Sequence, residues 1–343
     1  MREHLFYNAI NIAFESNYKK LLKFLEKFGS WEASWDHISA AEKQGINPEE
    51  EWKRLTKLGI ELTLQDDEKF PTLLREIPWC PFGIYLLGSL PKNDLSLAVV
   101  GTRKATIEGK SIAKRFSREC AAKNFAIVSG LALGIDAAAH DGCLDAEGKT
   151  VAVLANGLDS IYPKTHHSLA KKILEKNGVL VSEYPPGAPP FPARFLERNR
   201  IVSGLSRGTL VVEAPERSGS LVTARFAIDQ NREIFVVPGP IFHPNFLGSN
   251  RLIRNGAQLV TRSEDILETF GITTESETAG IIKLESDEER LIYAALQKIS
   301  RPADVEAIME ITNLTVTDAN TTLSFLIIKN IVKETEGGYT LIN

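Results

Sequence analysis

The chain has 343 residues, 43% hydrophobic and 24% charged, with 40 basic against 44 acidic side chains and a formal net charge of -4. These are the proportions of an ordinary folded protein, and at roughly 150 residues per domain they predict two or three domains. A globally basic binder is excluded, so any affinity for nucleic acid has to come from a local patch. Cys80, Cys120 and Cys143 lie far apart with no CxxC pair, which excludes a disulfide framework and a cysteine zinc cluster. From Arg2 and Glu3 onward the N-terminus alternates apolar with polar residues, unlike a secretory signal. No window approaches the roughly 20 apolar residues of a membrane helix. The expected setting is soluble, reducing cytoplasm with no membrane attachment.

Residues 5–62 read as short helices. Leu21, Leu22, Phe24, Leu25 and Phe28 recur at helical spacing and stop at Gly29; Pro48 then opens a segment carrying Trp52, Leu55 and Leu58 that stops at Gly59. Residues 1–64 are therefore expected to form a small helical domain. A connector with Pro71, Pro78, Pro81 and Pro91 follows around the apolar run 84–87. From about residue 95 the pattern becomes strand, glycine-bearing turn, helix, strand. Strands are predicted at 97–100, 126–129, 151–154, 179–182, 209–212, 234–237 and 258–260, with amphipathic stretches such as Ile112, Ala113, Phe116 and Cys120 between them. Continuous apolar strands alternating with helices predict an α/β domain over 65–272, a parallel sheet covered on both faces. Such sheets bind ligands at the carboxyl ends of their strands. Residues 273–288 form an acidic linker; across 273–290, six carboxylates meet only Lys283 and Arg290. Over 289–343, two or three short helices and a Gly337-Gly338 hairpin suggest a winged helix-turn-helix. From 291 onward this tail carries four basic against six acidic residues.

The first parallel strand ends in Val100-Gly101-Thr102-Arg103 and a helix begins near Thr106. A glycine at a strand end lets backbone N–H groups approach an anion, and Arg103 supplies a planar fork suited to phosphate. Residues 101–125 hold seven basic and two acidic side chains, although the helical lysines read equally as a solvated face. Gly109-Lys110-Ser111 and Gly148-Lys149-Thr150 imitate the end of a Walker A loop. The glycine that GxxxxGK[ST] requires is Lys104 in one and Cys143 in the other, so no nucleotide-hydrolysing loop fits. The second strand ends in Ser129-Gly130 and runs through Gly134 to Asp136, which lacks the GxGxxG of a dinucleotide site. Asp136 and His140 share one helical face but no third metal ligand is evident. Capping and packing account for them better.

Residues 189–200 are the most informative stretch. Phe191, Arg194, Phe195, Arg198, Asn199 and Arg200 follow a proline run, and from 187 to 232 there are seven arginines, no lysines and four acidic residues. Cations interleaved with aromatic faces suit a single strand, whose phosphates need charge and whose splayed bases need π-faces. Core phenylalanines with surface arginines remain the plainer reading. Ser218-Gly219-Ser220 opens another helix after the strand at 209–212, again offering free N–H groups to an anion. No nucleophile, base and orienting group occur together, and no cofactor motif is present.

Taken together, Val100-Gly101-Thr102-Arg103, Ser129-Gly130 with Asp136 and His140, Ile161-Tyr162-Pro163, Ser182-Glu183-Tyr184-Pro185, Arg198-Asn199-Arg200-Ile201, Ser218-Gly219-Ser220-Leu221 and Pro238-Gly239 with Gly248-Ser249-Asn250 resemble the DNA-processing protein A family, DprA, also called Smf. The likeness covers about 65–270, with a sterile-alpha-motif-like or helix-hairpin-helix-like module before it and a winged helix after it. It implies an extended Rossmann fold and a homodimer without cofactor or metal. It also implies a non-enzymatic protein that binds single-stranded DNA without marked sequence preference and loads a RecA-type recombinase during natural transformation. Carried over residue by residue, phosphate contacts fall to Gly101, Thr102, Arg103, Ser129, Gly130, Asn199, Arg200, Gly219 and Ser220. Thr102 replaces a serine common there and keeps the hydroxyl.

Two other classes compete. A nucleotide N-glycosidase of the lysine-decarboxylase-like fold also uses a Rossmann sheet, but its PGGxGTxxE signature would fall at 218–225, where no glutamate stands. A transcription factor reading duplex through the tail is weakened by that segment's net charge of -2, because duplex binding leans on phosphate neutralisation.

Overall fold

The computed structural model describes residues 2–91, 95–272, 284, 286–299, 301–329, 331–335 and 337–341. The chain divides into two compact units, 1–272 and 273–343.

Local rules account for the first helices. In α4 (Pro48–Leu58), proline at the first position, three glutamates in the first turn and the Asn47 side chain, which accepts from the Glu49 and Glu50 N–H groups, all favour the start. The sequence stops α2 (Tyr18–Phe28) at Gly29 and α4 at Gly59, as expected. With α1 (Arg2–Ala13) and α3 (Trp31–Asp36) they form the N-terminal helical layer.

This layer is not a separate body. Strand β1 (Glu61–Leu64) lies inside the segment expected to be purely helical, and it pairs antiparallel with β2 (Gly83–Gly88), which in turn pairs antiparallel with β6 (Val179–Ser182). The proline-studded connector thus supplies an edge of the sheet. Tyr7, Ile10 and Leu55 of the helices and Phe14 of the turn after α1 share one core with Tyr85, Leu154 and Leu180 of the strands.

The remaining strands are parallel: β3 (Ser96–Val100), β4 (Ala126–Ser129), β5 (Thr150–Leu154), β6, β7 (Gly208–Val211), β8 (Glu233–Val236) and β9 (Gln258–Leu259). The order is β1-β2-β6-β5-β4-β3-β7-β8-β9. Strand β3 sits at the point from which the chain winds first toward β6 and then, through β7, toward β9. Its alternation sets the two faces: Leu97 and Val99 pack with Ala113 of α6 (Ile107–Ala122) and Ala139 of α7 (Ile135–Asp145). Ala98 and Val100 pack with Ile201 of α9 (Pro192–Gly204) and Ala224 of α10 (Gly219–Asp229). Helix α8 (His167–Glu175) covers the β5–β6 end, while α11 (Leu247–Arg254) and α12 (Ser263–Thr269) flank β8 and β9. A doubly wound sheet of this kind opens a crevice outside the carboxyl ends of its strands where the winding reverses.

The second unit holds α13 (Asp287–Ile299), α14 (Val305–Thr312) and α15 (Val316–Ile328), then an antiparallel hairpin of β10 (Val332–Thr335) and β11 (Gly338–Leu341) around Ile292, Ile308 and Leu323. Residues 287 and 288 of the expected linker begin α13, and 273–283 and 285 lie outside the described residues. No described helix is long and apolar enough to cross a membrane. All three cysteines are buried free thiols.

Candidate nucleic-acid interface

The strand-end loops at the winding reversal enclose a cleft of about 580 Å³. Gly101, Thr102 and Arg103 enter it from β3 and Gly130 from β4. Phe195 and Asn199 reach it from α9, and Gly219 and Ser220 from α10. Most of the residues that the sequence singled out are thus gathered in one place. Tyr162 and Arg217 complete its wall.

Close approach of elements explains the glycines. A Cβ on Gly101 would lie 2.4 Å from Ile135 Cγ1, so only glycine lets α7 pack against the end of β3. At Gly130 the obstacle is a guanidinium: a Cβ would stand 2.4 Å from Arg198 Nη2. Arg198 donates from Nη1 to the Gly130 carbonyl at 2.9 Å and also to the Val153 carbonyl. Asp136 Oδ2 accepts from the Gly130 N–H at 3.1 Å and the Ala132 N–H at 3.3 Å. Asp136 therefore fastens the β4 loop rather than capping α7, whose cap position is Gly134.

Arg198 and Asp136 are both buried under the cleft floor. Burial pushes the Arg198 guanidinium down to about 10, opposed by the Asp136 charge, and burial raises the Asp136 carboxyl, opposed by Arg198. Each charge thus opposes the burial penalty of the other. Arg198 Nε donates to Asn199 Oδ1 at 3.2 Å, and Asn199 Nδ2 donates to the Gly219 carbonyl at 3.1 Å. This relay places the start of α10 against the floor.

Helix α9 sorts the informative stretch by face. Phe195, Asn199 and Val202, spaced by four and three residues, turn to the cleft. Arg194, Arg198 and Arg200 are buried, and of the three only Arg198 lines the cleft. Arg200 is 1% exposed: its Nη1 donates to Glu183 Oε2 at 2.9 Å, its Nη2 to Glu183 Oε1 at 2.5 Å, and its Nε to the Trp79 carbonyl at 2.9 Å. The expectation that Arg200 meets a phosphate does not fit, because its charge is already matched by a buried carboxylate. Ser129 is likewise corrected, since it is buried and its hydroxyl donates to the Val99 carbonyl at 2.7 Å. Arg198 is also buried and bonded to two carbonyls, yet it still lines the cleft floor. Phe191 and Arg194 lie outside this cleft, on the other side of the first turn of α9.

Several backbone donors expected to meet an anion are occupied. The Thr102 N–H donates to the Glu213 carbonyl at 2.8 Å, the Gly130 N–H to Asp136, and the Ser220 N–H to Ser218 Oγ at 3.2 Å. Glu213 itself is spent on the Thr106 N–H and hydroxyl and on Asn245 Nδ2. What remains open is side-chain charge. Arg103 and Arg217 are exposed, and among the described residues neither forms an ion pair. The Arg103 guanidinium lies 5.1 Å from the Phe195 ring centroid, and the Tyr162 ring lies 5.4 Å from Phe195 on a tilted plane. A half-buried aromatic ring in the cleft wall thus neighbours a cation and a second ring, with the positive end of α10 lining the same cleft.

Sequence reasoning missed Tyr162 and Arg217 as site residues. The proline after Tyr162 and the Ser-Gly pair after Arg217 were the available signals. Among the described residues no three His, Cys, Asp or Glu side chains are grouped to hold a metal. His140 is buried with Nδ1 2.7 Å from Thr150 Oγ1, and burial pushes it down to about 3, so it is neutral and committed to packing.

Comparison with known proteins agrees with this architecture. Residues 61–271 match the family described as DNA recombination-mediator protein A. Protein Smf of Escherichia coli (strain K12) is 46% identical over 210 residues, 60% of this chain and 56% of that protein. The matched stretch is thus little more than half of that relative. The DNA processing protein DprA of Streptococcus pneumoniae is 40% identical over 206 residues, 60% of this chain and 72% of that protein. The X-ray structure of DprA from S. pneumoniae superposes with a TM-score of 0.61 at 33% identity, covering 76% of this chain and 95% of that one. A structure of DNA processing protein A from Helicobacter pylori, described for its single-stranded DNA binding mode, has a TM-score of 0.56 at 30% identity and covers 62% and 95%. On the match over 61–271, the chain belongs to the DNA recombination-mediator protein A family.

Proposed function

We propose that this protein binds single-stranded DNA in the cleft between β3, α9 and α10, and that it acts stoichiometrically as a recombination mediator. The observation that carries the reading is the Phe195 ring beside Arg103 and Tyr162 in a cleft that also presents Arg217 and the N-terminal turn of α10. Exposed guanidinium groups attract phosphates of either form of DNA. An aromatic face is usable only by a base that has left the stack, so the pairing favours an open strand. A net charge of -4 argues that the attraction is local and steeply salt-dependent. Family membership and the single-stranded DNA binding reported for the H. pylori relative support the substrate class.

The same reading makes the protein a homodimer that protects incoming single strands in the cytoplasm and loads a RecA-type recombinase during natural transformation. It works without nucleotide hydrolysis, because neither GK[ST] string has a phosphate loop before it. The experiment is a fluorescence anisotropy titration with matched single and double strands at two salt concentrations. Tighter binding of the single strand, weakening with salt, is expected. Equal affinity for both forms, or no salt dependence, would refute the proposal.

A further inference from the structure

A second hollow, of about 240 Å³, lies across the first turn of α9 from the cleft. Residues of that turn alternate between the two: Pro190 and Pro192 line the cleft, whereas Phe191, Ala193 and Arg194 line the hollow. Its opposite wall comes from the N-terminal helical layer, where Glu15, Ser16 and Asn17 connect α1 to α2. We infer that this hollow receives a second base of the bound strand, which crosses the first turn of α9 to reach it. The inference rests on the single-strand reading above and extends it to the helical layer.

Two observations converge. Phe191 is 52% exposed, and its ring faces the Arg194 guanidinium at 5.1 Å; the same guanidinium lies 4.6 Å from the Tyr184 ring. An exposed aromatic face beside a cation is a lining of the kind that takes a base. The backbone at Glu15 and Ser16 is left-handed, with φ of 51° and 61°, and Arg194 Nη2 donates to the Glu15 carbonyl at 3.3 Å, which fixes the opposite wall against the first turn of α9. A volume below the roughly 300–1,000 Å³ of whole-ligand pockets suits a single ring system.

The test uses the full chain and labelled oligothymidylates lengthened one nucleotide at a time. The wild type should show a step in affinity when the strand becomes long enough to cross α9. Ala193→Trp places a large ring in the hollow from an exposed helical position, and should abolish that step, a loss of about 5- to 150-fold for the longer strands. The shortest bound oligothymidylate should be unaffected. Phe191→Leu keeps an apolar side chain but removes the aromatic face, and should shrink the same step, with a melting curve to certify folding. A step of wild-type size in both folded variants, while Arg103→Ala still weakens the shortest strand, would overturn the second hollow and leave the cleft standing. If Arg103→Ala leaves the shortest strand unaffected, the cleft reading falls and the second hollow falls with it.

Discussion

Replacing Arg198 by alanine separates a supporting arginine from a contacting one. In the fold, the Arg198 guanidinium fills the space above Gly130, satisfies the Gly130 and Val153 carbonyls and compensates the buried Asp136 carboxylate. Removing it leaves those two buried carbonyls unpaired and takes away the charge that opposes the burial of Asp136; at about 1–3 kcal/mol for each group left unsatisfied the cost is about 3–5 kcal/mol. Against a total stability of about 5–15 kcal/mol that is a large share. At about 2–4 °C per kcal/mol for a unit of this size, the melting temperature should fall by roughly 6–20 °C. The double variant Arg198→Ala with Asp136→Asn should recover part of the loss, because the uncompensated charge goes too. Thermal melting by circular dichroism, with anisotropy on the folded fraction, measures both quantities. An unchanged melting temperature with sharply reduced single-strand affinity would refute this assignment and restore the reading in which Arg198 meets DNA directly.

Other variants probe the open groups. Arg103→Ala should weaken single-strand binding by about 1.5–3 kcal/mol and flatten its salt dependence, whereas unchanged binding at low salt would remove Arg103 from the site. His140 sits near 3 in the fold against an ordinary value of about 6.5, so it favours the folded state above pH 6.5 and loses that contribution as pH falls toward 3. Between pH 7 and pH 5 this amounts to about 2 kcal/mol, which His140→Gln should remove from the pH dependence of melting; equal pH dependence in both proteins would contradict it. Deleting 273–343 should leave single-strand affinity equal or improved, since the second unit is acidic and compact by itself. A large loss of affinity in the folded truncation would make the tail part of the interface.

Much of this fold was legible because strong local signals agreed with tertiary structure. Asn47-Pro48 and Gly59 bound α4 on the page as they do in space, and the apolar parallel strands announced themselves by their runs of valine and leucine. The antiparallel edge was hidden. Strand β1 shows only Leu62 and Leu64 in four residues, and β2 lies among prolines that ordinarily mark a connector. The glycines at the strand ends pointed to the cleft, but for a partly different reason than expected: Gly130 makes room for Arg198, and its N–H is taken by Asp136.

The arginines were the least legible. Counting charge over 187–232 gives a basic patch, yet three of its seven arginines are buried. Arginine is seldom buried without a partner, and the partner of Arg200 is Glu183, on the loop after β6, a proximity that only the folded chain creates. Helical periodicity could not have sorted the stretch by itself, since Phe195, Arg198 and Asn199 are three and four residues apart and share a face, and only burial separates the arginine from the other two. Arg217, which does reach the surface of the cleft, stood in the same count without distinction.

The most direct measurement of the central claim is the ratio of single-strand to duplex affinity in Phe195→Ala beside the wild type, read by anisotropy with matched strands and accompanied by a melting curve. Phe195 offers a ring to an unstacked base, so its loss should lower single-strand affinity by about 1–3 kcal/mol while weak duplex binding, which leans on the guanidinium groups, stays nearly the same. The ratio should fall accordingly. An unchanged ratio in folded protein would mean that groove shape and phosphate spacing select the strand, and would contradict the role assigned to the aromatic face.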